Sequence, residues 1–161
     1  MNIRIGYGVD VHRLEPDLPL FLGGIEIPSD LGALGHSDAD VLLHAICDAL
    51  LGAVNLRDIG YHFSDTDPRY NGIDSKILLS EVMNLIQDKG YRVINIDSTV
   101  IAEAPKINPY IPQMQKVIAK ILKVEDECVS IKATTHEKVD SFGRREAIKA
   151  YTVCLLSLIH I

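Results

Sequence analysis

No apolar run in this 161-residue sequence approaches the roughly 18 residues that a membrane-spanning helix needs. The opening Met1-Asn2-Ile3-Arg4-Ile5-Gly6 also lacks the apolar core of a signal peptide, so no membrane association and a cytoplasmic location are expected. Positive charge is in deficit too. A formal net charge of −6 leaves no excess of basic residues for the face that displaces counterions from nucleic-acid phosphates. No nucleic-acid partner is expected, and any anionic ligand must be held by local cations. The cysteines, Cys47, Cys128 and Cys154, are odd in number and show no C-x-x-C spacing. They read as reduced packing residues rather than a disulfide framework. Internal repeats and low-complexity tracts are absent as well.

Against these absences, 47% hydrophobic and 24% charged residues are ordinary for a globular chain. At this length one core suffices, because such a chain buries roughly 70% of its unfolded surface. Residues 1–161 are therefore read as one domain. Ile3 to Leu14 and Pro19 to Pro28 read as two early strands, the second broken by Gly23-Gly24. Glu15-Pro16-Asp17-Leu18-Pro19 between them predicts a hairpin-like connection. Ser37 is a suitable N-cap for a helix to Ala53, with Asp38 and Asp40 in its first turn. The apolar face of that helix is Val41, Leu42, Ala45, Ile46, Ala49 and Leu50, and Asp40, His44 and Asp48 form a polar stripe. A polar segment from Arg57 to Asp74 follows, longer than a usual connection.

The remainder predicts a helix from Ser75 to Lys89 closed by Gly90, a strand from Arg92 to Ala102 and a helix from Pro112 to Lys123. Strands at Val129 to Thr135 and Ala147 to Ile159 end the chain. This alternation predicts an α/β (α+β) fold: one domain with a mixed β-sheet covered by helices on one face. The last strand is apolar at nearly every position, which predicts burial on both faces and assembly through the uncovered sheet face.

Asp10-Val11-His12 puts a carboxylate and an imidazole two residues apart on a strand, hence on one face. His44 supplies a third donor if its helix packs beside that strand. Two imidazoles, one carboxylate and an open position form a recurring catalytic zinc set. By itself the pattern more often marks a surface or hydrogen-bonded core histidine than a ligand. Asp40 and Asp48, one turn either side of His44, are placed as acceptors for a ligating imidazole or as ordinary solvated helix residues.

In order along the chain stand Gly8-Val9-Asp10-Val11-His12, Leu22-Gly23-Gly24, Gly35-His36-Ser37-Asp38-Ala39-Asp40-Val41-Leu42-Leu43-His44-Ala45 and Asp58-Ile59-Gly60. Phe63-Ser64-Asp65-Thr66-Asp67-Pro68, Ala104-Pro105-Lys106 and Lys132-Ala133-Thr134-Thr135-His136-Glu137-Lys138 follow. These blocks resemble, in order and spacing, those of the 2-C-methyl-D-erythritol 2,4-cyclodiphosphate synthase family.

The resemblance implies a homotrimer with active sites between subunits and one Zn²⁺ per subunit on Asp10, His12 and His44. It implies that Glu137 helps hold a second divalent ion, Mg²⁺ or Mn²⁺, on the phosphates. It further implies a cytidine diphosphate substrate contacted by Asp10, Val11, His12, His36 and Ser37. The loop carrying Asp58, Ile59, Gly60, Phe63, Ser64, Asp65, Thr66 and Asp67 would meet the methylerythritol part. Ala102, Glu103, Ala104, Pro105, Lys106, Ile107 and Asn108 would line the cytidine pocket with Thr134 and Thr135, Lys106 lying near the phosphates. His136, Glu137, Ser141 and Arg144 complete the implied set.

His36 and Thr135 are the implied catalytic pair. His36 precedes the expected Ser37 cap, where the positive end of a helix dipole favours phosphate. Two positions depart from the commoner family pattern. Ser64 stands where a proline presets the turn, and Ser141 stands where an aromatic lines the trimer axis, with Arg144 left as the phosphate clamp. The implied reaction is attack by the substrate's own 2-phosphate on its β-phosphorus, which closes a cyclic diphosphate and releases CMP. A zinc-dependent phosphohydrolase and a non-catalytic trimeric isoprenoid- or nucleotide-binding module are the alternatives, and the products distinguish all three.

Overall fold

The computed structural model describes residues 2–160. Its main sheet has the strand order β4-β1-β7-β5-β6, with β1 at Ile3–Pro16, β4 at Leu31–Leu34, β5 at Tyr91–Ile101, β6 at Val129–Thr134 and β7 at Ala147–Leu158. The β5/β6 pair is parallel and the other pairs are antiparallel, so the sheet is mixed as expected. Helices α1 (Val41–Ala53), α3 (Ser75–Asp88) and α4 (Ile111–Leu122) complete the core, and two single-turn helices, α2 (Ile59–His62) and α5 (Asp140–Gly143), lie in the connections. Among the described residues, no helix is long and apolar enough to cross a membrane. All three cysteines are free, with Cys47 and Cys154 buried.

The expected pairing of the first two strand segments is wrong. Strands β2 (Leu20–Leu22) and β3 (Ile25–Ile27) form their own two-stranded sheet, while β1 is flanked by β4 and β7. Gly23 and Gly24 make the turn with φ of 62° and 82°, the positive values at both central residues that a tight hairpin turn of this hand requires. Leu20, Leu22, Ile25 and Ile27 then enter the core. Both edges of β1 are taken, so the second segment packs against the helices instead.

The helical layer sits unusually close to β1. A methyl group placed on Gly8 would lie 2.0 Å from the Ala45 carbonyl oxygen, and one on Gly6 would lie 1.8 Å from that of Ala49. Glycine on the strand facing alanine on the helix lets the two backbones touch. Helix α1 is buried on nearly all sides, only Asp48 and Gly52 escaping. The stripe of Asp40, His44 and Asp48 is therefore no solvated face, since Asp40 and His44 are both buried.

The opposite sheet face stays open within one chain. Along β7, Ile148, Ala150, Thr152, Cys154 and Leu156 are buried towards the helices, whereas Val153 is exposed. On β1, Ile5 and Tyr7 are 72% and 60% exposed, an apolar surface of the kind that marks a contact face.

The close approach makes a direct prediction. Gly8→Ala should destabilise the fold by about 3 kcal/mol or more, as overpacking against a backbone carbonyl does. Gly52→Ala, on α1 but facing open space, should stabilise it by roughly 0.5–1 kcal/mol. Denaturant midpoints of the two variants test this, and equal midpoints would show that the contact is not tight.

Candidate active site

Asp10 and His12 project from β1 towards α1, and His44 projects from α1 towards them. The Asp10 Oδ2 lies 2.9 Å from His12 Nε2 and 3.1 Å from His44 Nδ1, and the two ring nitrogens are 3.1 Å apart. Donors bound to one Zn²⁺ at about 2.0–2.2 Å in a tetrahedral site are roughly 3.2–3.5 Å apart. The three side chains thus fit such an ion with little movement. Leu34 contributes a carbonyl 3.1 Å from His12 Nδ1. A carbonyl can only accept, so Nδ1 carries the proton and Nε2 presents its lone pair to the cluster.

The electrostatics keep Asp10 ionised, as a cation-binding carboxylate must be. Burial alone would raise the Asp10 carboxyl, but hydrogen bonds and charge from His12 and His44 outweigh it and hold the group at about 2. For His44, burial opposes the cation, yet the Asp10 carboxylate raises its pKa above the ordinary value.

Two expectations around His44 fail. Helix α1 begins at Val41 and its N-cap is Asp40, which accepts from the Leu43 amide at 3.0 Å. The same carboxylate accepts from Gly23 and Gly24 N–H at 3.0 and 2.8 Å. Asp40 thus ties the β2/β3 turn to the helix, which displaces the cap from Ser37. His36 consequently stands well before the helix terminus, and the dipole argument for it lapses. Neither the Asp40 nor the Asp48 carboxylate bonds to the His44 ring, whose partners are Asp10, His12, Ser37 and Ser75. Asp48 instead accepts from the Ile59 N–H at 2.9 Å and pins α2.

Above the cluster opens a cleft of about 410 Å³ lined by Asp10, His12, His36, Ser37, His44, Ile59, Gly60, Phe63 and Asp65. His36 Nε2 lies 3.0 Å from the Asp67 carbonyl, which orients the ring. Val11 is exposed on the opposite sheet face. Asp58 caps α2 through Tyr61 N–H, Ser64 and Thr66 bond to each other, and the Asp67 carboxylate pairs with Arg69 at 2.7 Å. Gly35, Tyr70, Ile73 and Leu78 also line the cleft, unforeseen from sequence, where nothing separates them from packing residues.

A second cavity of about 330 Å³ gathers Ala102, Glu103, Pro105, Lys106, Ile107, Asn108, Ala133, Thr134 and Thr135. Glu103 accepts from the amides of His136 and Lys138 at 3.3 and 2.7 Å, fixing the turn that bears Glu137. Ser141 lies on α5 and Arg144 just beyond, paired with Glu146 at 3.2 Å. The two cavities share one end of the sheet, because Asp10 pairs with Ala150, Ala150 with Val100, and Val100 with Ala133. That separates them by three strand spacings, roughly 14 Å. They have no lining residue in common.

Asp48 gives this site a measurable pH signature. Burial, with the nearby Asp58 and Asp10 charges, pushes its carboxyl from 3.8 up to about 6, against the Ile59 hydrogen bond and the His44 charge. A carboxyl raised on folding costs stability once ionised, so the cost is absent below about pH 4, grows to about pH 6 and persists above. Asp48→Asn keeps an acceptor for Ile59 N–H. It should raise stability above pH 6 by about 1 kcal/mol, discounted because the group is partly solvated, and be neutral near pH 4. A gain independent of pH would contradict the assignment.

Comparison with known proteins agrees with the geometry. The YgbB family profile matches residues 3–157. The 2-C-methyl-D-erythritol 2,4-cyclodiphosphate synthase of Parabacteroides distasonis is 60% identical over 156 residues, 97% of either chain. Among solved structures, bifunctional IspDF from Campylobacter jejuni superposes with a TM-score of 0.93 at 37% identity. That match covers 97% of this chain, which corresponds to 42% of the longer one. A CDP-bound form of 2C-methyl-D-erythritol-2,4-cyclodiphosphate synthase matches with a TM-score of 0.89 at 37% identity, covering 96% of this chain and 100% of that one. On the profile match and on the identity to its relatives, this chain belongs to the YgbB family, the family of those synthases.

Proposed function

We propose that this chain closes 4-diphosphocytidyl-2-C-methyl-D-erythritol 2-phosphate to 2-C-methyl-D-erythritol 2,4-cyclodiphosphate, releasing CMP, as a cytoplasmic step in isoprenoid precursor synthesis. The observation that carries this reading is the convergence of Asp10, His12 and His44 at the base of a cleft, beside a separate cavity at the same sheet end. The first cavity takes the methylerythritol and reacting phosphates, and the second takes the cytidine. Since the two lie apart within one chain, the complete site forms between subunits of a homotrimer. The exposed Ile5, Tyr7 and Val153 supply an apolar face for that assembly.

In the reaction a 2-phosphate oxygen bonds to the β-phosphorus as the bond to the CMP oxygen breaks, so no side chain need act as nucleophile. The chain's work is to fold the substrate into the ring-closing pose, where effective molarity supplies much of the acceleration. Zn²⁺ on Asp10, His12 and His44 would supply Lewis-acid polarisation of the β-phosphate, and Mg²⁺ or Mn²⁺ near Glu137 would neutralise charge on the phosphates.

The Asp67 carbonyl accepts from His36 Nε2–H and so fixes the ring at the wall of the cleft, beside the reacting phosphates. Thr135 Oγ1 accepts from the Glu137 amide at 3.1 Å, which leaves its own proton free to donate. The segment from Asp58 to Asp67, pinned by Asp48, covers the cleft and excludes competing water.

Incubation of the purified chain with that substrate and Mg²⁺ or Mn²⁺ should give CMP and a cyclic diphosphate by phosphorus NMR. Light scattering on the same sample should return the mass of three chains. A linear phosphate product would replace this reading with a hydrolase. For His36→Ala and Thr135→Val, kcat should fall about 100-fold with a smaller change in KM, by analogy with loss of an oxyanion donor. Melting temperatures should barely move, and wild-type turnover in both variants would remove them from the catalytic set.

A further inference from the structure

Ser75, the first residue of α3, is completely buried although it carries a hydroxyl. Its Oγ lies 2.9 Å from His44 Nε2 on one side and 2.5 Å from Asp38 Oδ1 on the other. A carboxylate only accepts hydrogen bonds, so the single Ser75 proton goes to Asp38 and only lone pairs remain to face the imidazole. His44 Nε2 must therefore carry a proton. In the neutral ring, Nδ1 is then the lone-pair nitrogen, and it is Nδ1 that stands 3.1 Å from Asp10 Oδ2 and 3.1 Å from His12 Nε2.

The Asp38 carboxylate is fixed in turn. Its Oδ2 accepts from the Ser75 amide at 3.0 Å and its Oδ1 from the Asp40 amide at 3.2 Å, while the Asp38 amide donates to the Ile73 carbonyl at 3.0 Å. It thus spans the start of α3 and the turn that precedes α1. Ser37 Oγ is also 3.1 Å from His44 Nε2, and it accepts from the Ala39 amide at 3.2 Å. Its proton has no fixed carboxylate partner, so Ser37 suits either tautomer and dictates neither.

We propose that Ser75 and Asp38 are positioning residues of the metal centre, which lock His44 in the tautomer that presents Nδ1 to a divalent cation. The proposal rests on Asp10, His12 and His44 being the metal ligands. Its consequence is that part of the affinity for the ion resides in α3, outside the ligand set. Removing an outer partner of a ligating imidazole typically weakens metal binding 10- to 100-fold.

The test uses the full chain and Zn²⁺ alone, with affinity read by competition against a chromophoric chelator. Ser75→Ala should bind Zn²⁺ roughly 10- to 100-fold more weakly than wild type, whereas Ser37→Ala should shift affinity much less. Nitrogen-15 NMR of the zinc-loaded, histidine-labelled wild type should show a proton on His44 Nε2 and the metal on Nδ1, a readout independent of how well the variant folds. Wild-type affinity in Ser75→Ala, or metal on Nε2, would overturn the proposal alone. A wild type that takes up no Zn²⁺, or one whose uptake survives His12→Ala unchanged, would overturn the ligand assignment and the proposal with it.

Discussion

Contact between the backbone of α1 and the glycines of β1 is the constraint on which the site depends. The Ala45 carbonyl sits over Gly8, and the Ala49 carbonyl over Gly6. A side chain at either glycine would push the helix outward. Asp10 lies two residues beyond Gly8 on the same strand face, and His44 immediately precedes Ala45 on the helix. The contact that removes the space for a methyl group therefore also sets the distance between the carboxylate of one element and the imidazole of the other. Two rigid regular elements in backbone contact hold the cluster more tightly than loops would. Burial of α1 on nearly every side keeps it from sliding along the strand.

Much of this was legible in the chain, because it rests on local periodicity and capping. The alternation of β1 placed Asp10 and His12 together, and the two-residue rhythm needs no tertiary information. Gly90 just beyond α3, with φ of 84°, Lys123 in the left-handed region after α4, and Pro112 in the first turn of α4 all mark helix ends that local chemistry dictates. What could not be read was decided by partners distant in sequence. Ser37 and Asp40 are equally good caps by residue type. Asp40 prevails because the amides of Gly23 and Gly24 converge on its buried carboxylate. Asp48 looked like a partner for His44 one turn away, but the Ile59 amide claims it. The β2/β3 pairing and the buried Ser75 belong to the same class, since a three-residue strand and a polar helix-initial residue carry no sign of what will cover them.

The charge of the site ties the composition to the chemistry. An acidic chain must hold an anionic ligand with local cations, yet no lysine or arginine lines the cleft above Asp10, His12 and His44 among the described residues, and Lys106 is the one lysine lining the cavity beside Thr134 and Thr135. The cleft instead carries Asp10 and Asp65, with the Asp48 carboxyl below them pushed up to about 6 by burial and by the nearby Asp58 and Asp10 charges. Two phosphates brought together for ring closure would meet a wall of the wrong sign. A divalent cation held by Asp10, His12 and His44 would reverse that sign. As ligands, imidazoles would add no anionic charge of their own, and more of the ion's positive charge would be left to face the substrate. The histidine-rich, lysine-free cleft thus suits a division of labour in which a bound ion would take the cationic role and the protein's own residues would orient the ligands and the substrate.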